Sequence, residues 1–362
     1  MRIAQVAPLW ESVPPKLYGG TERVVSYLTE ELVRLGHDVT LFASGDSITT
    51  ARLEPMCNHA LRLNKGIFNR DAPMMMLMEQ GLGKPRDYDM IHSHLDFMGF
   101  PFARRNPTST VATFHGRLDL PELQPVFREY RELPIVSISD AQRKPVSWAN
   151  WQATVYHGLP SDLYGFHPKP GAYLAFLGRI AAEKRPDHAI EIAKRVGIPL
   201  RIAAKVDPAD QDYFHAEIEP LLADPLIEYL GEITDAEKDK FLGNATALLC
   251  PYDWPEPFGL VLIEALACGT PVLAYRRGSI PEIIEDGVTG FVCEGLDEMT
   301  AAIQRIPEID RGRCRSSFEQ RFTVERMAQD YVQLYERVIG MTYKKEAEST
   351  SFSSWPVLST SA

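Results

Sequence analysis

Two hydrophobic rhythms alternate along the first forty residues. The short apolar run Ile3-Ala4-Gln5-Val6-Ala7 stops at Pro8, and Val24, Val25, Leu28, Leu32 and Leu35 then recur at the spacing that lines one face of a helix. Gly36 ends that helix, and Val39-Thr40-Leu41-Phe42-Ala43 reads as a second strand. A strand, a helix and a strand in this order predict a βαβ unit, whose crossover makes the pair parallel. Further apolar runs at 90–91, 110–114, 135–138 and 153–156 end in polar or small residues. They predict strand ends opening into loops, where doubly wound sheets hold their ligands.

Residues 162–171 are rich in Pro and Gly and predict a linker. A second series follows, with strands expected at 173–177, 200–204, 227–230, 246–250 and 272–274 and helices at 186–196 and 258–268. The expected organisation is α/β, with one Rossmann-like domain over 1–165, another over 166–340 and a ligand cleft between them. Met327, Tyr331, Leu334, Tyr335 and Val338 mark a last helix over about 324–340 that is free to cross back onto the first domain. The Ser- and Thr-rich stretch 344–362 predicts a flexible tail.

Composition narrows the function. With 49 Asp and Glu against 38 Lys and Arg, the net charge of −11 excludes a general nucleic-acid binder and confines any phosphate contacts to a few local cations. Five widely spaced cysteines without a C-x-x-C pair predict reduced thiols and no thiol metal site. The opening residues do not read as a signal peptide, and no run approaches the ~18 apolar residues of a membrane span. A cytoplasmic location follows as an expectation, with loose contact to a membrane surface left open.

The candidate chemistry begins at Glu256-Pro257-Phe258-Gly259-Leu260-Val261-Leu262-Ile263-Glu264. Phe258 and Gly259 are expected to open a helix that Gly269 caps, so Glu256 precedes its N-terminus and Glu264 lies about 7.5 Å along it. Unpaired amides at Gly259, Leu260 and Val261 then form an anion site flanked by carboxylates, which suits a sugar nucleotide. A capped surface helix with two exposed acids is the bland alternative. Arg179 and Lys184 are expected in the loop after strand 173–177, either as solvated charges or as a grip on a diphosphate. Gly19-Gly20 permits close backbone approach at another helix start but is not G-x-G-x-x-G. His92 and His94, two residues apart on a strand, share a face with Asp96 nearby, but no further ligand completes a metal site.

Taken together, Gly19-Gly20 with Arg23, Thr113-Phe114-His115-Gly116, Ser137-Ile138-Ser139, Gly178-Arg179 with Glu183-Lys184, the Glu256/Glu264 pair and Gly278-Ser279-Ile280-Pro281-Glu282 resemble family 4 of the retaining glycosyltransferases, enzymes of the GT-B fold. The form of the Tyr18-Gly19-Gly20-Thr21-Glu22-Arg23 segment is similar to the branch that includes antibiotic-decorating transferases. The resemblance implies two Rossmann-like domains facing across a cleft and transfer of a hexosyl group from a UDP- or GDP-linked sugar to a hydroxyl acceptor. It implies neither metal nor cofactor, the sugar nucleotide being a substrate. Glu264 would bind the ribose, Glu256 the transferred sugar, and Arg179 and Lys184 the diphosphate, aided by amides at Phe258, Gly259, Leu260 and the Gly19-Gly20 loop. The base would lie near Ile233, His115 near the anomeric centre or the acceptor, and Asp119 and Glu122 toward the acceptor.

Two positions depart from the family's pattern: His157-Gly158 stands where members often carry Asn-Gly, and Gly278-Ser279 where they often carry Gly-Gly. Two other activities remain compatible with these residues, a nucleotide-sugar-binding protein without transfer and a GT-B sugar-nucleotide epimerase.

Overall fold

The computed structural model describes residues 1–62, 64–84 and 87–352, with side chains described as far as 342. Strands β1 (Arg2–Val6), β2 (Asp38–Ala43), β3 (Arg52–Pro55), β4 (Met90–Ser93), β5 (Thr110–Thr113), β6 (Ile135–Ser137) and β7 (Trp151–Thr154) form a seven-stranded sheet in the order 3-2-1-4-5-6-7. A six-stranded sheet in the order 10-9-8-11-12-13 contains β8 (Tyr173–Ile180), β9 (Leu200–Val206), β10 (Ile227–Gly231), β11 (Ala245–Cys250), β12 (Val272–Tyr275) and β13 (Gly290–Cys293). Every pairing is parallel. The chain therefore has the α/β, two-sheet architecture of the GT-B fold. Strand order reverses between β1 and β4 and again between β8 and β11, which opens a crevice at the carboxyl ends of those strands in each sheet.

Helix α1 (Gly20–Arg34) follows β1 and buries Val24, Val25, Leu28 and Leu32, as the apolar spacing predicts, whereas Leu35, expected on the same face, follows the last helical residue and is exposed. In the second half, α2 (Pro186–Val196) starts with a proline and stops at Gly197, which takes a left-handed conformation (φ 68°). Helix α3 (Asp235–Gly243) is opened by a reciprocal capping box between Thr234 and Glu237. The short α4 (Leu260–Ala267) and the long α5 (Val324–Phe352) complete the elements that shape the cleft.

Some expected boundaries shift. Strand β7 begins two residues earlier than its apolar run, and the edge strands β3 and β13 carry too few patterned residues to have been expected. Helix α5 continues into the expected tail as far as Phe352, the last described residue, through strong helix formers such as Lys344, Lys345, Glu346 and Ala347. The rest of that tail, 353–362, lies outside the described residues.

Helix α5 packs on the first sheet. Met327, Tyr331, Leu334, Tyr335 and Val338 are buried against Ile3, Leu28, Leu32, Met90, Val111 and Val136. Each such side chain contributes on the order of 1.5–3 kcal/mol by burial. The outgoing and returning strands of chain are bonded to each other: Leu159 N donates to Phe322 O at 2.9 Å and Val324 N to Leu159 O at 2.8 Å. A Cβ at Gly158 would lie 2.2 Å from the Thr323 carbonyl oxygen, so this double crossing requires glycine.

Candidate active site

Both crevices open into one cleft of about 360 Å³, lined by Tyr18, Gly19, Gly20 and Arg23 after β1, by His115, Gly116 and His157, and by residues at the end of β8 and following β8 and β11. Gly19, Gly20, His115, Arg179, Lys184, Glu256, Phe258, Gly259, Leu260 and Glu264 all line it. Ile233 does not; it lies in an adjoining compartment with Ala203, Ala204, Glu232 and Thr234 at the ends of β9 and β10. That compartment shares Tyr18, Arg23, Gly178, Lys238 and Val261 with the cleft.

Local structure explains the convergence and corrects some details. Arg179 lies inside β8, which runs three residues past its expected end to Ile180; Lys184 ends the short 3-10 turn Ala182–Lys184. Gly259 is not helical. It holds φ 84° as the residue before α4, so the helix begins at Leu260 and its first free amides belong to Leu260 and Val261. The left-handed Gly278 (φ 55°) and Ser279 brace this turn: Ser279 N donates to Glu256 O at 2.9 Å and Ser279 Oγ to Phe258 O at 2.8 Å. The Ser279 departure therefore supports the Glu256 segment.

The two carboxylates are not exposed acids. Glu256 is 7% and Glu264 1% accessible, and each meets a lysine, Glu256 with Lys184 and Glu264 with Lys238 at 3.0 Å. Lys184 Nζ also sits 3.9 Å from the Tyr252 ring centroid, and Trp254 Nε1 donates to Glu256 at 3.0 Å. Arg179 bonds Asp210 at 2.7 Å and pairs with Glu183. Arg179 and Lys184, expected as solvated charges or as a grip on a diphosphate, are thus each balanced by a carboxylate. Sequence reasoning missed Lys238, although the capping box that starts its helix was legible in Thr234 and Glu237.

Contacts also span the two domains. Arg23 pairs with Asp235, and Tyr18 N donates to Glu232 at 2.9 Å. Glu282 accepts from the amides of Asp140 and Ala141, at 2.8 and 2.7 Å.

The first-domain wall is different in kind. His92 and His94 each have two protein partners, Tyr335 and Thr113 for His92 and His115 and Gln5 for His94. His157 stacks on His115 with ring centroids 5.2 Å apart. Burial holds His92, His94 and His157 well below the ordinary imidazole range and His115 down to about 3, so the rings are neutral. Asp96, at φ 49°, has a carboxyl that burial pushes up to about 6. Among the described residues no cluster of His, Cys, Asp and Glu could hold a metal ion. Asp119 is tied to Arg117 at 2.7 Å beside a small groove that shares Glu256 and Pro257 with the cleft, and Glu122 is exposed.

Comparison with known proteins matches both halves of this arrangement. Residues 18–151 fit the model of Glycosyltransferase Family 4, and residues 165–316 fit that of Glycosyl transferases group 1. The chain belongs to the group 1/family 4 glycosyltransferases. The transferase is 26% identical to a phosphatidyl-myo-inositol mannosyltransferase of Mycolicibacterium smegmatis, an alignment covering 97% of each chain. It is also 25% identical to a D-inositol 3-phosphate glycosyltransferase of the same organism over 77% of this chain and 76% of that one. Among solved structures, a glycosyltransferase involved in avilamycin A biosynthesis superposes with a TM-score of 0.67 at 21% identity, covering 94% and 98% of the two chains. Anabaena HepE, solved in complex with UDP and glucose, does so with 0.71 at 18%, covering 92% and 98%. At these identities the structural likenesses establish the fold of the transferase alone. No helix among its described residues is long and apolar enough to cross a membrane.

Proposed function

We infer that the enzyme transfers a hexosyl group from a UDP- or GDP-linked sugar to a hydroxyl acceptor with retention at the anomeric carbon. The observation that carries this reading is the meeting of Arg179, Lys184, Glu256, Glu264 and the start of α4 in one cleft, built at the switch points of both sheets. Glu264 binds the ribose hydroxyls, and Glu256 the hydroxyls of the transferred sugar. Arg179, Lys184 and the amides near Phe258, Gly259 and Leu260 hold the diphosphate, with the Gly19-Gly20 backbone closing over it. The base fits the compartment at Ile233. The names of the relatives, which are sugar transferases, and the UDP in the HepE structure support a nucleoside diphosphate donor.

Catalysis in this reading rests on fixed charge and positioning. As the bond from the anomeric carbon to the diphosphate oxygen breaks, negative charge grows where Arg179, Lys184 and the helix end already point. The departing phosphate takes the acceptor's proton on the same face, which gives retention without a protein nucleophile. The side chains of Arg179, Lys184 and Lys238 supply the positive charge, so the reaction is read as independent of metal and cofactor. His115 faces the reacting sugar from the other wall.

Nucleoside diphosphate release from a panel of sugar nucleotides, with and without hydroxyl acceptors, tests the reading. Wild-type turnover is expected with at least one donor and loss of turnover in Glu256→Gln and Lys184→Ala. Unchanged turnover in both variants would overturn the site. Mass spectrometry of the product separates transfer from epimerisation, and donor binding without release would identify a silent binder.

A further inference from the structure

One hydrogen-bonded chain runs from the cleft to the far end of the polypeptide. His115 Nε2 meets His94 Nδ1 at 2.9 Å, and His94 Nε2 meets Gln5 Oε1 at 2.9 Å. Gln5 Nε2 donates to the Tyr335 hydroxyl at 3.2 Å, and that hydroxyl meets His92 Nδ1 at 2.7 Å. His92 Nε2 ends on Thr113 Oγ1 at 2.7 Å, which contacts the Tyr331 hydroxyl at 3.0 Å. Gln5, His92, His94 and Thr113 are buried in the first sheet, and Tyr331 and Tyr335 come from α5.

The chain has a direction. An amide oxygen only accepts, so His94 must carry its proton on Nε2, leaving Nδ1 as a lone pair. His115 then donates from Nε2, and its own Nδ1 is unprotonated. Farther along, the Tyr335 hydroxyl accepts from Gln5 and so donates to His92, whose Nε2 proton goes to Thr113. Every bond agrees with this assignment, which follows from Gln5 presenting Oε1 to His94 and Nε2 to Tyr335. The neutral state of these rings, which burial enforces, lets each act as donor at one nitrogen and acceptor at the other.

His115 Nδ1 is left over. It is buried and has no hydrogen-bond partner, although the side chain lines the cleft, and the stacked His157 ring limits rotation of the imidazole. An unpaired buried acceptor is costly unless a ligand completes it. We propose that Gln5, His94 and Tyr335 are positioning residues that lock His115 in the tautomer with a free Nδ1 acceptor, reserved for a hydroxyl of the substrate. Through Tyr335, the returning helix α5 takes part in orienting a group on the wall of the cleft that faces the diphosphate grip. This inference rests on the transferase reading only for the identity of the hydroxyl, which belongs to the transferred sugar or to the acceptor.

The test is nitrogen-15 NMR of histidine-labelled full-length protein, with the His115 signals assigned by their loss in His115→Gln. Wild type is expected to show His115 Nδ1 unprotonated and Nε2 protonated, and titration with the productive sugar nucleotide, alone and with acceptor, should shift Nδ1. In Gln5→Met, His94 loses the acceptor that orders it. His115 should then show mixed tautomers, and kcat should fall about tenfold, the size of one lost positioning hydrogen bond, with donor KM within about twofold. Tyr335→Phe breaks the chain one link farther out and should lower kcat about threefold. A protonated Nδ1 in wild type overturns the proposal even if the enzyme is fully active, as does wild-type kcat with an unchanged tautomer in Gln5→Met. If Gln5→Met does not fold, the wild-type spectrum decides. If no donor on the panel is turned over, the transferase reading fails, while the wild-type spectrum still decides whether the tautomer is locked.

Discussion

The second-domain wall of the cleft is held by ion pairs, Lys184 with Glu256, Lys238 with Glu264 and Arg179 with Asp210, whereas the first-domain wall is held by neutral rings. The difference matches the division of labour in the proposed reaction. A wall of paired charges can give up part of each pairing to an incoming diphosphate without leaving a cation bare beforehand. A wall of neutral imidazoles faces the reacting sugar without adding a charge that would compete for the diphosphate, and its hydrogen-bond directions are set in advance.

The strongest way to break this comparison is to remove one charge from the ionic wall. Lys184→Ala leaves Glu256 buried without its cation, which is expected to cost about 3 kcal/mol of stability. Turnover should fall by a hundredfold or more, the usual loss for one donor aimed at developing charge. Denaturant unfolding and diphosphate release measure the two effects. Combining Lys184→Met with Glu256→Gln removes both charges and should recover much of the stability and none of the turnover. Recovery of turnover would show that the pair serves folding alone.

A second contrast uses backbone. At Gly278, φ is 55° and an added Cβ would lie 2.2 Å from the Glu256 carbonyl oxygen, whereas a Cβ at Gly116 on the other wall meets nothing within 4 Å. Gly278→Ala should therefore destabilise by roughly 1–3 kcal/mol and reduce turnover by moving Glu256. Gly116→Ala should stay within about 0.5 kcal/mol of wild type. Equal effects on stability would mean that the Glu256 turn is no more constrained than the loop after β5.

Acidity should separate the walls next. His92, His94, His115 and His157 are all held below their ordinary range by burial, so on acidification the unfolded chain takes up protons near pH 6.5 that the folded protein refuses. Their stabilising contribution is present above that pH and lost as pH falls below it, by up to about 1.4 kcal/mol per pH unit for each histidine. Glu22, pushed up to about 7, and Asp96, pushed up to about 6, act in the opposite sense, because the folded state keeps their protons. Four groups outweigh two, so denaturant unfolding should show lower stability at pH 5.5 than at pH 7. His157→Asn should flatten the slope. A profile that rises toward acid would contradict a neutral wall.

The two walls were not equally legible in the sequence. The ionic wall is built largely from local motifs: Glu256 and Glu264 share one strand-to-helix segment, and Arg179 and Lys184 another. Gly178 and Gly259 lie beside them, while Gly278, which braces the Glu256 turn, comes from farther along the chain. The ring wall joins Gln5, His94, His115, His157 and Tyr335, which are distant in sequence and meet only because β1, β4 and β5 are neighbours and α5 returns across them. Periodicity marked Tyr335 as a core residue, and it is one. Its hydroxyl's partners depend on which strand lies beneath the helix, and no spacing carries that. The alternation of His92 and His94 placed them on one face correctly but gave no means to choose their partners. The same limit applies to Lys238, whose helix was recognisable while its approach to Glu264 depends on how two helices pack.

The mildest test concerns the contacts that bring the walls together. Arg23 reaches Asp235 from the first domain and also donates to Leu17 O at 3.0 Å, while Asp235 has a second cation in Lys238 at 3.3 Å and is one-third exposed. Removing the guanidinium therefore leaves no bare buried carboxylate, and Arg23→Met should change unfolding stability by less than about 1 kcal/mol. The clasp lies where the cleft adjoins the compartment at Ile233, so its loss should instead let the two domains part there. The expected result is a donor KM raised about fivefold, near 1 kcal/mol, with kcat unchanged. A larger radius of gyration in solution scattering should accompany it. If kcat falls while KM holds, Arg23 acts on the reacting groups, and the division between a charged wall that grips and a neutral wall that orients would have to be redrawn to include a first-domain cation.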